Sequence, residues 1–163
     1  MRTFLAVLIG SLVLAFLSIG LSYIGYVELL WVAVVALFVS DHEDEALGIA
    51  VLSGFLFDVM MHGNVGFTSL SILAGLAVYI AAKGFGFADR AWQKVVVVVL
   101  VFVTAFLVEF GLRSIVDPVG FDIVMVRVIA VSVGVNAVLT GIGVFVVREI
   151  DRRISTSGTV KIV

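Results

Sequence analysis

Apolar residues run through this chain in long blocks parted by short polar or glycine-containing breaks. The blocks cover residues 4–21, 27–39, 46–61, 65–82, 95–112 and 123–147. A block of about 18 apolar residues has the length of a helix across a hydrocarbon slab of about 30 Å, whereas a membrane strand needs only about 10 residues with alternating polarity. The valine run at 95–99 therefore reads as helix despite its β preference. Taken as one helix, residues 4–39 would be about 54 Å long, so the chain must turn within them. Ser22, Tyr23, Ile24, Gly25 and Tyr26 mark that turn, the tyrosines being suited to a membrane interface. The arm that follows, 27–39, is short: either a thin span or a re-entrant segment. Glu28 stands at its start, where a carboxylate favours the positive end of the helix dipole. Residues 83–90 read as a loop with glycine breaks, and Asp117, Pro118, Val119 and Gly120 as a turn.

Composition makes lipid part of the solvent. Of 163 residues, 63% are hydrophobic and 13% charged, and the mean hydropathy is +1.30; a soluble domain could not cover so much apolar surface. The length suits one transmembrane helical domain, residues 1–154, with a short flexible tail at 155–163. A cleaved signal peptide is the competing reading of the first block, with Arg2 before it and Ser18, Ile19 and Gly20 at its exit. The length of the run and the apolar block close behind it favour a retained span. The net charge of -2 gives no reason to expect nucleic acid. The absence of cysteine excludes disulfides, thiolate metal sites and a cysteine nucleophile. With six spans, Arg2, Lys83, Arg90, Lys94, Arg148, Arg152, Arg153 and Lys161 gather at one end and only Arg113 and Arg127 at the other. Basic residues favour the cytoplasm, so both termini are expected inside. The expected fold is an all-α polytopic bundle of about six transmembrane helices.

Candidate chemistry centres on residues 52–82, where Asp58 is stranded in an apolar run. An ionisable group at membrane depth costs several kcal/mol, on the order of 3 by insertion scales, and is rarely idle. Gly54, Gly63, Gly66 and Gly75 remove bulk around it, as close helix packing in lipid requires. Six spans place Asp58, Glu109, Arg113 and Arg127 toward one end. They would form either an ion-pair network fixing helix register or a polar pocket for a partner's helix, with Asp58 paired to Arg113 or Arg127. Gly54 and Asp58 share a helical face; Gly134, Asn136, Thr140, Gly141 and Gly143 supply another on the last span. Either face serves a partner or this bundle's own interior. The cluster Asp41, His42, Glu43, Asp44, Glu45 reads as a helix start, with Ser40 and Glu43 as a capping box, rather than a cation site. His62 reads as a turn or interface residue, not a metal ligand. No Ser/His/Asp set, metal cluster or phosphate loop is visible, and no motif surrounds a second aspartate near Asp58. The chain is expected to be a non-enzyme without a cofactor.

Gly54, Asp58 four residues on, Gly66 eight residues after the acid, and an apolar helix ending near Tyr79 together resemble the central motif of the MreD family. Asn136, Ala137, Val138 and Leu139 in the last span, followed by the basic helix end from Arg148 to Arg153, are also similar to that family. The chain departs from it at His62, where a small residue is usual, and at Glu28, where many members have a proline opening the second span. The resemblance implies a non-catalytic scaffold of the bacterial cell-elongation machinery in the cytoplasmic membrane. Such a scaffold binds MreC and, through it, MreB and RodA with its transpeptidase partner. The family also resembles the substrate-capturing S-components of energy-coupling-factor transporters, six-helix proteins with a small-ligand pocket. A transporter's binding subunit is therefore the alternative. Against it, residues 22–26 and 62–64 supply few of the convergent polar groups a vitamin site needs.

Overall fold

The computed structural model describes Val13, Leu17 and residues 28–61, 64–116 and 123–157, without the side chains of 124, 125 and 154–157. The first apolar block apart from Val13 and Leu17, the 22–26 and 117–120 turns, His62 and Gly63, and residues 158–163 lie outside the described residues. The described chain is helical: α1 Leu29–Val39, α2 Glu43–Met60, α3 Phe67–Gly84, α4 Ala91–Val116 and α5 Ile123–Ser157.

α1 forms most of the short arm that follows the first apolar block. Its 11 residues make a helix about 16 Å long, too short to cross a bilayer. It is apolar all round, so no face can be given to water, and helices of that kind are buried. Leu30, Trp31, Val32, Val34, Val35, Ala36, Phe38 and Val39 are all in the core. α5 and α2 pack on it most extensively and α3 touches it more lightly. From α4, Phe106 meets the Trp31 ring with centroids 4.7 Å apart, and Phe102 stacks on it at 6.5 Å. Tyr79 of α3 meets Phe38 edge-on at 5.4 Å.

Three helices, α3, α4 and residues Val126–Arg153 of α5, are long and apolar enough to cross a membrane. That points to a membrane protein. α2 has 18 residues but carries Glu43, Asp44, Glu45 and Asp58. The expected six spans thus reduce, among the described residues, to five helices of which three have the length and composition to span.

Helix boundaries shift outward from those the apolar blocks suggest. α4 begins at Ala91, so Trp92, Gln93 and Lys94 are helical. α5 runs 35 residues, about 52 Å, and carries Arg148, Arg152 and Arg153 within it rather than at its end. Polar residues do not stop a helix; they mark where it leaves the apolar layer.

The capping box does not form. Ser40 closes α1, its N–H donating to the Ala36 and Leu37 carbonyls, and its hydroxyl is buried without a hydrogen-bond partner. His42 is the residue before α2 and makes no side-chain cap. Glu43 turns away to Lys83 at 2.6 Å. Asp41 takes φ +65° at this corner, a left-handed conformation that aspartate tolerates better than most residues. Glu43, Asp44 and Glu45 do fill the first turn of α2, where the helix dipole favours acids.

Candidate functional site

Asp58 lies two residues before the end of α2 and is 2% exposed. Its partner is Thr68, not Arg113 or Arg127. One carboxyl oxygen accepts the Thr68 backbone N–H at 3.1 Å, and the other accepts the Thr68 hydroxyl at 2.5 Å. The local sequence explains this. Gly66 takes φ +91° and starts α3 without a side chain that could cap it. The first N–H groups of a helix lack intrahelical acceptors, and the positive end of the dipole favours an acid. Asp58 reaches across the turn and supplies both acceptor and charge. Gly66 has nothing within 4 Å of where a Cβ would stand, so the turn requires glycine for its backbone angle rather than for space.

Gly54, one turn before Asp58, faces the same neighbour. A Cβ there would lie 2.8 Å from the Ser69 nitrogen and 2.6 Å from its hydroxyl. Its face therefore belongs to the internal contact of α2 with α3, not to a surface open to a foreign helix. Ser69 donates to the Val51 carbonyl at 3.0 Å, and Ser53 bonds to the Ile49 carbonyl in its own helix. Gly75 does for α3 and α4 what Gly54 does for α2 and α3: its Cβ would meet the Val101 carbonyl oxygen at 2.8 Å.

A second buried polar site lies on α5. Ser132, Asn136 and Thr140 form a stripe at four-residue spacing and are all buried. The Asn136 side-chain oxygen accepts the Glu28 N–H at 3.0 Å, and Thr140 donates back to the Asn136 carbonyl at 2.8 Å. Asn136 thus caps the start of α1 inside the bundle, where water is not at hand for an exposed N–H. The helical repeat divides the small and polar residues of α5 that the sequence suggests as one face. Asn136, Thr140 and Gly143 point inward, Gly143 with its Cβ position 2.9 Å from the Ala36 side chain. Gly134 and Gly141 lie seven apart and outward, both exposed with nothing within 4 Å of their Cβ positions.

Glu109 and Arg113 form an ion pair along α4, with Arg113 Nη2 2.5 Å from Glu109 Oε1. They border a groove with Phe106, Phe110 and Ile129. Arg127 is exposed on α5, which packs on α1 and α4. Asp58 stands late in α2 and Glu109 and Arg113 late in α4, and they form separate pairs rather than one network. Each acid takes the donor its own turn or helix presents first.

The opposite end carries the charge. Lys83 meets Asp41 at 3.4 Å and Glu43 at 2.6 Å, and His42 meets Asp151 at 3.6 Å. On α5, Glu149 holds Arg152 and Arg153. These contacts tie the ends of α1, α3 and α5 to the start of α2. Among the described residues, no group of three or more His, Cys, Asp or Glu side chains gathers as a metal site would require.

Sequence reasoning missed Thr68, whose place just after a glycine-led helix start was its only signal, and the pairing of Asn136 with Glu28, which no local pattern carries. Among the described residues the arrangement is helical, with three helices long and apolar enough to cross a membrane and with buried polar groups that hold helix starts. No protein-family model matches the chain, nor does any curated protein or solved structure.

Proposed function

We propose that this chain is a non-catalytic scaffold of the bacterial lateral peptidoglycan synthesis machinery, in the cytoplasmic membrane, and that it binds an MreC-like membrane protein. The resemblance to the MreD family at Gly54, Asp58 and Gly66 motivates the reading. The observation that carries it is that these three residues act as one structural unit. Gly54 brings α3 against α2, Gly66 makes the turn, and Asp58 caps the helix that follows. A motif devoted to the shape of one hairpin suits a scaffold. A reaction would need reactive groups converging on an open cleft.

The proposed topology places the C-terminus and the α3–α4 connection in the cytoplasm. In support, Lys83, Arg90, Lys94, Arg148, Arg152 and Arg153 all belong to the end where α3 and α5 finish and α4 begins. Reporter fusions at Val119 and Lys161 are expected on opposite sides, with Lys161 inside; a periplasmic Lys161 overturns the arrangement.

The partner face shifts from Gly54 to the outward side of α5, where Gly134 and Val138 are exposed one turn apart. Small residues let a foreign helix approach closely in lipid. Gly134→Leu is expected to abolish co-purification of the MreC-like protein while leaving thermal stability near normal. Undiminished capture by that variant removes this face from consideration. A vitamin-sized molecule recovered in place of a protein partner would favour the transporter-subunit reading instead.

A further inference from the structure

A shallow, open groove lies between the first turns of α4 and the later half of α5. Its walls are two facing helical stripes. Ala91, Lys94, Val95 and Val98 share one side of α4 through three- and four-residue spacings, and Ala137, Thr140, Gly141, Val144 and Arg148 share one side of α5 in the same way. Val39 closes the floor. The missing side chain of Gly141 widens the middle, since nothing stands within 4 Å of its Cβ position.

The lining is apolar apart from Lys94, Arg148 and Thr140, whose hydroxyl is bonded to the Asn136 carbonyl, and it includes no acid. Of the acids at this end, Asp41 and Glu43 meet Lys83, Asp151 meets His42, and Glu149 meets Arg152 and Arg153. The groove thus combines two cations with an apolar trough between two spanning helices. It sits at the basic end of the bundle, beside the exposed Trp92, a residue type that favours the headgroup layer.

We propose that this groove binds one anionic phospholipid. The phosphate lies between Lys94 and Arg148, and an acyl chain runs along Val95, Val98 and Gly141. Arginine and lysine both recognise phosphate, arginine with two parallel N–H donors. A small soluble anion would gain nothing from the apolar walls. An uncharged lipid would leave the two cations without a counter-charge. Basic pockets between transmembrane helices at the cytoplasmic side are where anionic headgroups collect. The site stands independently of the proposed scaffold role.

The test uses the full chain purified in detergent, with phosphatidylglycerol or phosphatidylcholine added and retained lipid read by native mass spectrometry. The wild type is expected to retain one phosphatidylglycerol in preference to phosphatidylcholine. Lys94→Gln with Arg148→Gln should weaken that retention by roughly tenfold or more, at about one elementary attraction lost per cation. Gly141→Leu changes no charge, and its Cβ has nothing within 4 Å, so it should fold normally and still lose the lipid by filling the trough. It keeps the test decisive if the double variant folds poorly. Arg90→Gln with Arg152→Gln removes two cations at the same end outside the groove and should leave retention nearly unchanged. Equal losses from both charge pairs would mean diffuse surface attraction and overturn the proposal. Indifference to headgroup charge, or full retention in Gly141→Leu, would do so too. A photo-crosslinker at Val95 should capture lipid; capture of a protein helix instead would reassign the groove.

Discussion

Removing the Asp58 carboxyl group would strand two Thr68 donors at once, in a place that water reaches poorly. Asp58→Ala is expected to destabilise the protein by about 2 kcal/mol, the usual scale for a lost helix cap that leaves a buried donor unmet. Asp58→Asn keeps one side-chain acceptor and should cost about half as much. Thermal unfolding in detergent gives both values. A double-mutant cycle with Thr68→Val separates the hydroxyl bond from the backbone bond, because Thr68→Val leaves the N–H in place. The pair should be less than additive; additivity would mean that Asp58 stabilises through other neighbours. The burial of Asp58 was legible from its position in an apolar run. Its partner was not. Charge arithmetic favours an arginine, yet the nearest donors come from a helix start ten residues on, and Arg113 already holds Glu109 on its own helix.

Glycines separate the helix contacts that are internal from those that are not. Gly54→Ala and Gly75→Ala each drive a methyl group into a neighbouring backbone, at 2.8 Å from the Ser69 nitrogen and from the Val101 carbonyl oxygen respectively. Each should destabilise by about 1–3 kcal/mol, the usual cost of overpacking. Gly134→Ala and Gly141→Ala meet nothing and should be neutral or gain up to about 1 kcal/mol from the better helix former. Melting temperatures of the four variants in one detergent provide the comparison, and similar losses in all four would contradict the packing described. At this scale the sequence was informative about helices α3, α4 and α5, because block length and lipid thickness constrain each other. It was misleading at the α1–α2 corner, where Ser40 and Glu43 have capping-box spacing but Ser40 closes the preceding helix. The small residues of α5 could not be assigned to faces before the neighbours were known, although their 100° spacing already put Asn136 and Gly134 on opposite sides.

Across the whole molecule, stability comes from the interior rather than from the charged end. Lys83 is about half exposed where it meets Glu43, and such pairs contribute little. Lys83→Gln should change unfolding stability by less than about 1 kcal/mol, and raising salt should have as small an effect; a larger loss would mean that the end contacts are a principal clamp. The interior clamp is α1, a helix too short to span, with the N–H of Glu28 just before it held by Asn136 across 108 residues of chain. This arrangement has a consequence for biogenesis. α1 leaves the ribosome early, but the side chain that caps it is made with the last helix. Until then the segment has neither a finished start nor the α5 wall it packs on, and it is too short to rest in the bilayer as an ordinary span. The fold therefore completes only after synthesis of α5. Chains truncated after Val116 should leave α1 open to protease in membrane vesicles, as should full-length Asn136→Leu to a lesser degree, whereas the intact protein protects it. Quality control in the membrane would thus sense the loss of the last helix at the site of the first one described.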